Sequence, residues 1–526
     1  MVTVARQVML DGAVVRAWAA GAVTACRAAR ERIDAVNVFP VPDADTGSNV
    51  ALTVAGGAHA LARDGRQGDG AALAATFALG AARAARGSSG IILSQWLVGF
   101  AQGLAGAGQG LEAGTAELVH ALEHAASTAR GAVPDPQEGT VLTVAREVAV
   151  LARRHAGVVP AVSPVDVLAA ATDAARADLE RLSEGHDVLR AARVVDAGAC
   201  ALLVVLDALV HALRTGARAL DEAEVDLRWL PQAGPDVVAR CAPATGGAFE
   251  VMMLVRATWA GVTTLAAALQ GVGDAVAVVD AGGLRHAHVH CDDPAAAIGL
   301  VPAAARAQVV VRRVDDAPAA RGLVVLTASP GLAAWYATCG AVTLVGTDPG
   351  AQQVGRAAAD TRAGRAVVVD AGVGLRTDDA HGDLHRDLHD DLHGDLHGDL
   401  HDDVGDGVGG GVRDDAYDVL VTDGDGAAVV VCLAIVADPP AALDVGRQAL
   451  ARVRCDAPAG ADAVQGTVAA LLRDVPHAQG ATLVHGPDVD PGVARTAAAA
   501  VAAAHPQLEV VVAGPAVGPA WWVGVD

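Results

Sequence analysis

The sequence predicts a multidomain protein: an all-α domain over residues 1–215, an α+β domain over 235–315 and an α/β domain over 320–526. Three observations lead there. Up to about residue 215, Ala- and Leu-rich segments keep the helical period between Gly- and Pro-containing loops, and no stretch alternates as a strand would. From Phe249 to Arg313, strand and helix patterns follow the order β-α-β-β-α-β, that of a ferredoxin-like domain. Beyond Ala320, short Val-rich runs such as Leu323-Val-Val-Leu-Thr327 and Ala366-Val-Val-Val-Asp370 alternate with helical patterns.

Composition narrows the function classes. At 526 residues the chain can hold several cores, and with 52% hydrophobic but only 2% aromatic residues those cores must be built largely from Ala, Val and Leu. A net charge of -23 argues against nucleic acid as a partner, because binding to phosphate backbones needs clustered cations. Seven cysteines without a CxxC pair point to a reducing, cytoplasmic setting. Arg6, Asp11 and Arg16 break up the N-terminus, and no membrane span is read from the sequence. The sequence contains no lysine. Walker A loops, protein-kinase strands and Schiff-base enzymes all need one, so phosphate chemistry here must rest on metal ions, backbone amides, Arg and hydroxyls.

In the first domain the informative stretch is Asn37-Val-Phe-Pro-Val-Pro-Asp-Ala-Asp-Thr-Gly-Ser-Asn49. Pro40 and Pro42 keep it out of a helix, so Asp43 and Asp45 sit on a loop beside Thr46, Ser48 and Asn49. Carboxylates supported by hydroxyls and amides suit Mg²⁺, which is usually shared with substrate phosphates. The helix expected from Val50 onward would be capped by Ser48 or Asn49, its free amides facing an anion. An Asx-rich turn is the plainer reading of Asp-x-Asp alone. Three further loops follow. Ala85-Arg-Gly-Ser-Ser-Gly90 sets Gly87, Ser88, Ser89 and Gly90 before an apolar helix; Pro136-Gln-Glu-Gly-Thr140 is a further loop between helices, and Val194-Val-Asp-Ala-Gly198 makes Asp196 a pocket or helix-start candidate beside Gly198.

Together with Leu10-Asp-Gly12, these motifs resemble the DhaL-like (Dak2-type) ATP-binding subunit of bacterial fatty acid kinase, in the family's order. The resemblance implies ATP and Mg²⁺ as cofactors. Asp43 and Asp45 match the family's metal carboxylates; Asn37 is the nearest upstream third ligand, with Asp34 the other choice. Thr46, Ser48, Asn49, Gly87, Ser88, Ser89, Gly90, Thr140, Asp196 and Gly198 would hold the nucleotide. Two positions depart from the family: Ser88 stands where Asn is usual, and Ala44 where the fatty acid kinase branch has Gly.

In the middle domain, His288-Val-His290 places two imidazoles on one strand face, able to act as acid, base or donor, or to bind a metal. His-Val-His-Cys-Asp-Asp-Pro294 resembles the middle domain of fatty acid kinase, whose histidines are tied to activity; this makes His288 and His290 catalytic candidates and allows Zn²⁺ near them, with Cys241 a distant thiol. The third domain resembles a DegV-like domain at its opening and close, but a His/Asp/Gly-rich repeat interrupts it at about 376–413, read as a low-complexity insertion.

The implied activity is ATP-dependent phosphoryl transfer to a fatty acid carried by a separate fatty-acid-binding DegV-like protein, giving an acyl phosphate. A homodimer in the cytoplasm, without stable membrane insertion, completes that expectation. Two alternatives stand beside it: a DhaL-type kinase acting on dihydroxyacetone or another small hydroxyl substrate, and a non-catalytic nucleotide-responsive scaffold or metal-binding protein.

Overall fold

The computed structural model describes residues 10–66, 68–106, 114–159, 162–216, 218–232, 247–314, 322–347, 349–375 and 417–526. Cys241 and the histidine repeat lie outside the described residues. The chain divides into two compact units, Met1–Gly246 with Leu254–His290, and Gly247–Met253 with Cys291–Asp526.

Among the described residues the first unit opens with ten helices: α1 (Gly12–Asp34), α2 (Thr46–Ala62), α3 (Gly70–Ala84), α4 (Gly87–Gly106), α5 (Thr115–Gly131), α6 (Val141–Val158), α7 (Pro164–Ala177), the short α8 (Leu179–Ser183) and α9 (Asp187–Ala192), and α10 (Ala197–Thr215). Each of α1 to α6 packs on the next, α7 packs on α10, and α10 returns to α1, so these eight longer helices close into a ring. Such close approach follows from small residues. A Cβ on Gly56 would come within 2.1 Å of Ala84 Cβ, and one on Gly103 within 2.6 Å of Ala121 Cα, so α2 meets α3 and α4 meets α5 nearly backbone to backbone. Four aromatics, Trp18, Phe77, Trp96 and Phe100, cluster in this core. Trp18 of α1 is fully buried between Phe77 of α3 and Phe100 of α4, both 5.4 Å away edge-on, and its indole N–H donates to Val205 O of α10 at 3.0 Å. α10 has the length and mean hydropathy (1.8) of a membrane span, yet 78% of that window is buried among the other helices, where an all-round apolar helix forms a core.

After the helices, β1 (Phe249–Arg256), the helix Val262–Gln270, β2 (Asp274–Asp280), β3 (Leu284–Cys291), the helix Pro294–Gly299 and β4 (Arg306–Arg313) reproduce the expected β-α-β-β-α-β order. In the first unit β2 and β3 pair antiparallel, Ala277 opposite His288, with a bulge between Asp274 and Ala277 where Ala275 takes φ 52°. This hairpin packs on the ring: Ala277 and Val279 share a small core with Ala85, Ile91 and Ala132.

The second unit is α/β. Its larger sheet runs β4-β6-β5-β7-β8, with β5 (Leu323–Thr327), β6 (Ala341–Val345), β7 (Ala366–Asp370) and β8 (Tyr417–Val421) mutually parallel and β4 antiparallel to β6. Strands β5, β6 and β7 are buried on both faces, which explains their unbroken Val/Leu runs. A second sheet, in the order β11-β10-β12-β9, joins β9 (Arg454–Asp456), β10 (Gly480–His485), β11 (Glu509–Ala513) and β12 (Trp521–Val525).

Candidate functional site

The four motif loops are helix starts, and two of the helices begin earlier than the sequence pattern predicts. α2 starts at Thr46, so Thr46, Gly47, Ser48 and Asn49 form its first turn and neither Ser48 nor Asn49 is its cap. The capping comes from the end of α1: Asp34 accepts the Gly47 and Ser48 N–H groups at 2.7 and 3.1 Å and the Ser48 hydroxyl at 2.8 Å. A carboxylate reaching across from α1 thus satisfies three donors of the next helix at once. α4 likewise starts at Gly87, so Gly87 to Gly90 are helical. Gly87 sits at φ 59°, and a Cβ there would meet Asn49 Nδ2 at 2.3 Å, so the buried Asn49 packs directly beneath it.

Thr140 and Asp196 are the N-caps of α6 and α10. The buried Asp196 carboxylate accepts the Ala199 N–H at 2.7 Å and also the Val141 N–H, tying the starts of α10 and α6 together. Burial outweighs these hydrogen bonds and pushes its pKa up to about 6. In the Pro136–Thr143 loop, the Thr143 hydroxyl donates to Glu138 at 2.7 Å and accepts Gly139 N–H at 2.9 Å; that donation, with Arg146 and Arg130 nearby, holds the Glu138 carboxyl below its usual range.

The starts of α2, α4, α6 and α10 converge on one cavity of about 780 Å³ in the first unit. Thr46, Ser88, Ser89, Thr140, Asp196 and Gly198 line it, and so does His290 from β3. Four helix N-termini at one space give it a positive field, an arrangement suited to a phosphorylated ligand, while Asp34, Thr140 and Asp196 already take first-turn amides of α2, α6 and α10. Apolar walls come from Phe39, Ile92, Val133 and Val188. Ser48, Asn49, Gly87, Gly90, His288, Asp43, Asp45 and Asn37 are not among the lining residues; the first four build the helix starts behind the wall.

Asp43, Asp45 and Asn37 stand on the loop that leads into the cavity wall at Thr46. Asn37 donates its amide to Asp43 Oδ1 at 2.5 Å and accepts the Thr46 hydroxyl at 2.9 Å, which fixes the loop around a buried Asn37 and Asp45. Ala44 between the acids takes φ 52°, the region where the family's Gly is at ease. The donor set is all oxygen apart from amide nitrogen, matching a hard divalent cation.

The two histidines differ in placement. His288 is fully buried, and its Nδ1 lies 3.0 Å from the Ala275 carbonyl that the bulge turns toward it, which assigns the proton to Nδ1. Its ring meets that of His290 edge-on at 4.8 Å, and His290 faces the cavity. Sequence reasoning missed Asp34 as a cap, as well as Gln137, Gln270 and Asp274 in the lining. Only Gln137 lies in a motif loop; the other two become neighbours of the cavity through the hairpin's seat on the ring.

Residues 40–211 match the DAK2 domain, and residues 247–315 match the middle domain of FakA-like fatty acid kinase proteins. Protein YloV of Bacillus subtilis is 35% identical over 195 residues, and uncharacterized proteins of Staphylococcus epidermidis and Staphylococcus saprophyticus are 35% and 36% identical over 182 and 188 residues. Each match covers 35% of this chain and 32% of the relative, so the chain matches about a third of the length of these curated relatives. The chain therefore carries a DAK2 domain followed by a FakA-like middle domain, and the resemblance to the DhaL-like component of bacterial fatty acid kinase holds over those two stretches.

Proposed function

We propose that the protein is the ATP-dependent phosphotransferase component of a fatty acid kinase, passing a phosphoryl group to a fatty acid carboxylate presented by a separate lipid-binding protein. The observation that carries this reading is the convergence of four motif-bearing helix N-termini and His290 on one cavity. The amides at Ser88, Ser89 and Gly198 and the hydroxyls of Thr46 and Thr140 would orient the nucleotide phosphates, a task usually given to lysine in proteins that have it. Asp43, Asp45 and Asn37 would hold Mg²⁺, which when bound supplies neutralising charge to those phosphates. His290, backed by His288, is placed to donate a hydrogen bond or move a proton at its ring nitrogen. Zn²⁺ at these histidines would need ligands beyond the two imidazoles, since a tetrahedral site takes four, and the reading does not require it. The fatty acid as acceptor is supported by the middle-domain match; its carrier would dock on the α/β region.

Calorimetry with Mg-ATP on the wild type and on Asp43→Ala and Asp45→Ala tests the nucleotide site. Binding in the wild type and its loss in both variants, with helical content retained, is the expected result. Unchanged affinity in both variants would remove the metal assignment, and no binding to the wild type would remove the reading.

A further inference from the structure

The β2–β3 hairpin reaches the cavity because of how it is fastened to the end of α3. Ala82 is in the last turn of α3, where its carbonyl would normally accept the N–H of residue 86. Arg86 N–H instead donates to the Thr53 hydroxyl of α2 at 3.2 Å. The carbonyl left over is met by His286 of β3, whose Nδ1 lies 3.0 Å from Ala82 O in a buried setting. From the same turn of α3, Arg83 donates through Nε to Ala281 O at 3.2 Å and through Nη2 to Gly282 O at 2.9 Å, clasping the hairpin tip. Gln95 of α4 adds a bond to Asp280 O at 3.3 Å, and Ala277 and Val279 pack on Ala85 and Ile91 beneath. The segment that receives the hairpin, Ala82 to Arg86, leads straight into Ser88 and Ser89 on the cavity wall. His286, His288 and His290 alternate along one strand, so seating the first places the third.

We infer that Arg83 and His286 are positioning residues: they latch the hairpin to the α3–α4 connection and thereby set His290 against the nucleotide cavity, making that site a composite of the helical ring and the hairpin. The inference rests on reading the cavity as a nucleotide site. A ligand held at Ser88 and Ser89 would then tighten the hairpin as well as the helix start.

Hydrogen exchange on the full chain with and without Mg-ATP, in the wild type, Arg83→Ala, His286→Ala and His286→Asn, tests this. In the wild type the nucleotide is expected to slow exchange both at 88–92 and at 274–277 and 288–290, by about tenfold. Arg83→Ala and His286→Ala should lose the slowing at the hairpin and keep it at 88–92. His286→Asn should restore it, because the asparagine amide reaches the position of Nδ1, a rescue that a loss of bulk packing would not give. Exchange in α10 reports whether each variant is folded. Protection of 88–92 without the hairpin in the wild type would overturn the composite site, as would undiminished hairpin protection in His286→Ala. Absence of protection everywhere in the wild type would overturn the nucleotide reading itself and the latch with it.

Discussion

Asp34 and Ser48 join the end of α1 to the start of α2: the Ser48 hydroxyl donates to Asp34 Oδ2 at 2.8 Å, while Asp34 Oδ1 takes the Gly47 and Ser48 amides. Two of the donors left open at the start of α2 are thus met by a residue thirteen and fourteen positions away, and the loop carrying Asp43 and Asp45 is held between its two ends. Asp34→Ala should destabilise the protein by about 1–2 kcal/mol, the range for a lost N-cap, and Ser48→Ala by less, because the amide bonds survive it. Urea titration of both variants checks this; equal losses would show that the hydroxyl, not the cap, matters.

Ala44 offers a test of the acid loop's backbone. At φ 52° an alanine costs roughly 1 kcal/mol against glycine. Ala44→Gly should raise the unfolding free energy by about that amount with Mg-ATP affinity unchanged, and Ala44→Val should lower it, since a β-branched residue fits that region worse. A lower midpoint for the glycine variant would contradict the assigned turn.

The pKa of Asp196 gives stability a pH dependence of definite sign. Its folded value, about 6, lies above the unfolded 3.8, so its contribution is fully present below pH 3.8 and lost as pH rises through 6. That difference corresponds to about 3 kcal/mol at neutral pH. Asp196→Asn, which carries no charge, should therefore be less sensitive than the wild type to a rise from pH 4 to 7. Thermal melts across that range measure the difference; parallel curves would show that the carboxylate is not shifted upward.

Trp18 is among the largest fully buried side chains of the ring. Trp18→Ala should cost about 3–5 kcal/mol, as expected for removing a large buried aromatic, because Phe77 and Phe100 cannot both close the gap. Chemical denaturation followed by circular dichroism is the check. A loss below about 1 kcal/mol would mean that the ring collapses to fill the space.

Changing His288 and His290 together to Ala should leave Mg-ATP affinity near wild type, because the helix starts that surround the cavity are untouched. Turnover should fall by about 10² to 10⁴, the usual span for a lost acid, base or donor. Acyl-phosphate formation with the lipid carrier in excess measures it, and wild-type turnover would reduce the pair to buried residues of the hairpin.

The local elements were legible in the sequence because they depend on short-range rules. Apolar periodicity separated the helices before 215 from the strands after it, and β2 and β3 fall where alternating Val and His placed them. Asp196 could be read as a helix start, since an Asp before an Ala-Gly and an apolar run is a common N-cap. The start of α2 lies a few residues earlier than its sequence pattern predicts because its cap is not local: Asp34 reaches Ser48 from α1, and the start of α4 at Gly87 lies over Asn49 of α2. Motif order alone suggested that four loops belong to one function. That they meet in one cavity is decided by the closure of eight helices into a ring, and that His290 joins them is decided by Arg83 and His286 bonding main-chain carbonyls, groups every residue has and no sequence pattern distinguishes.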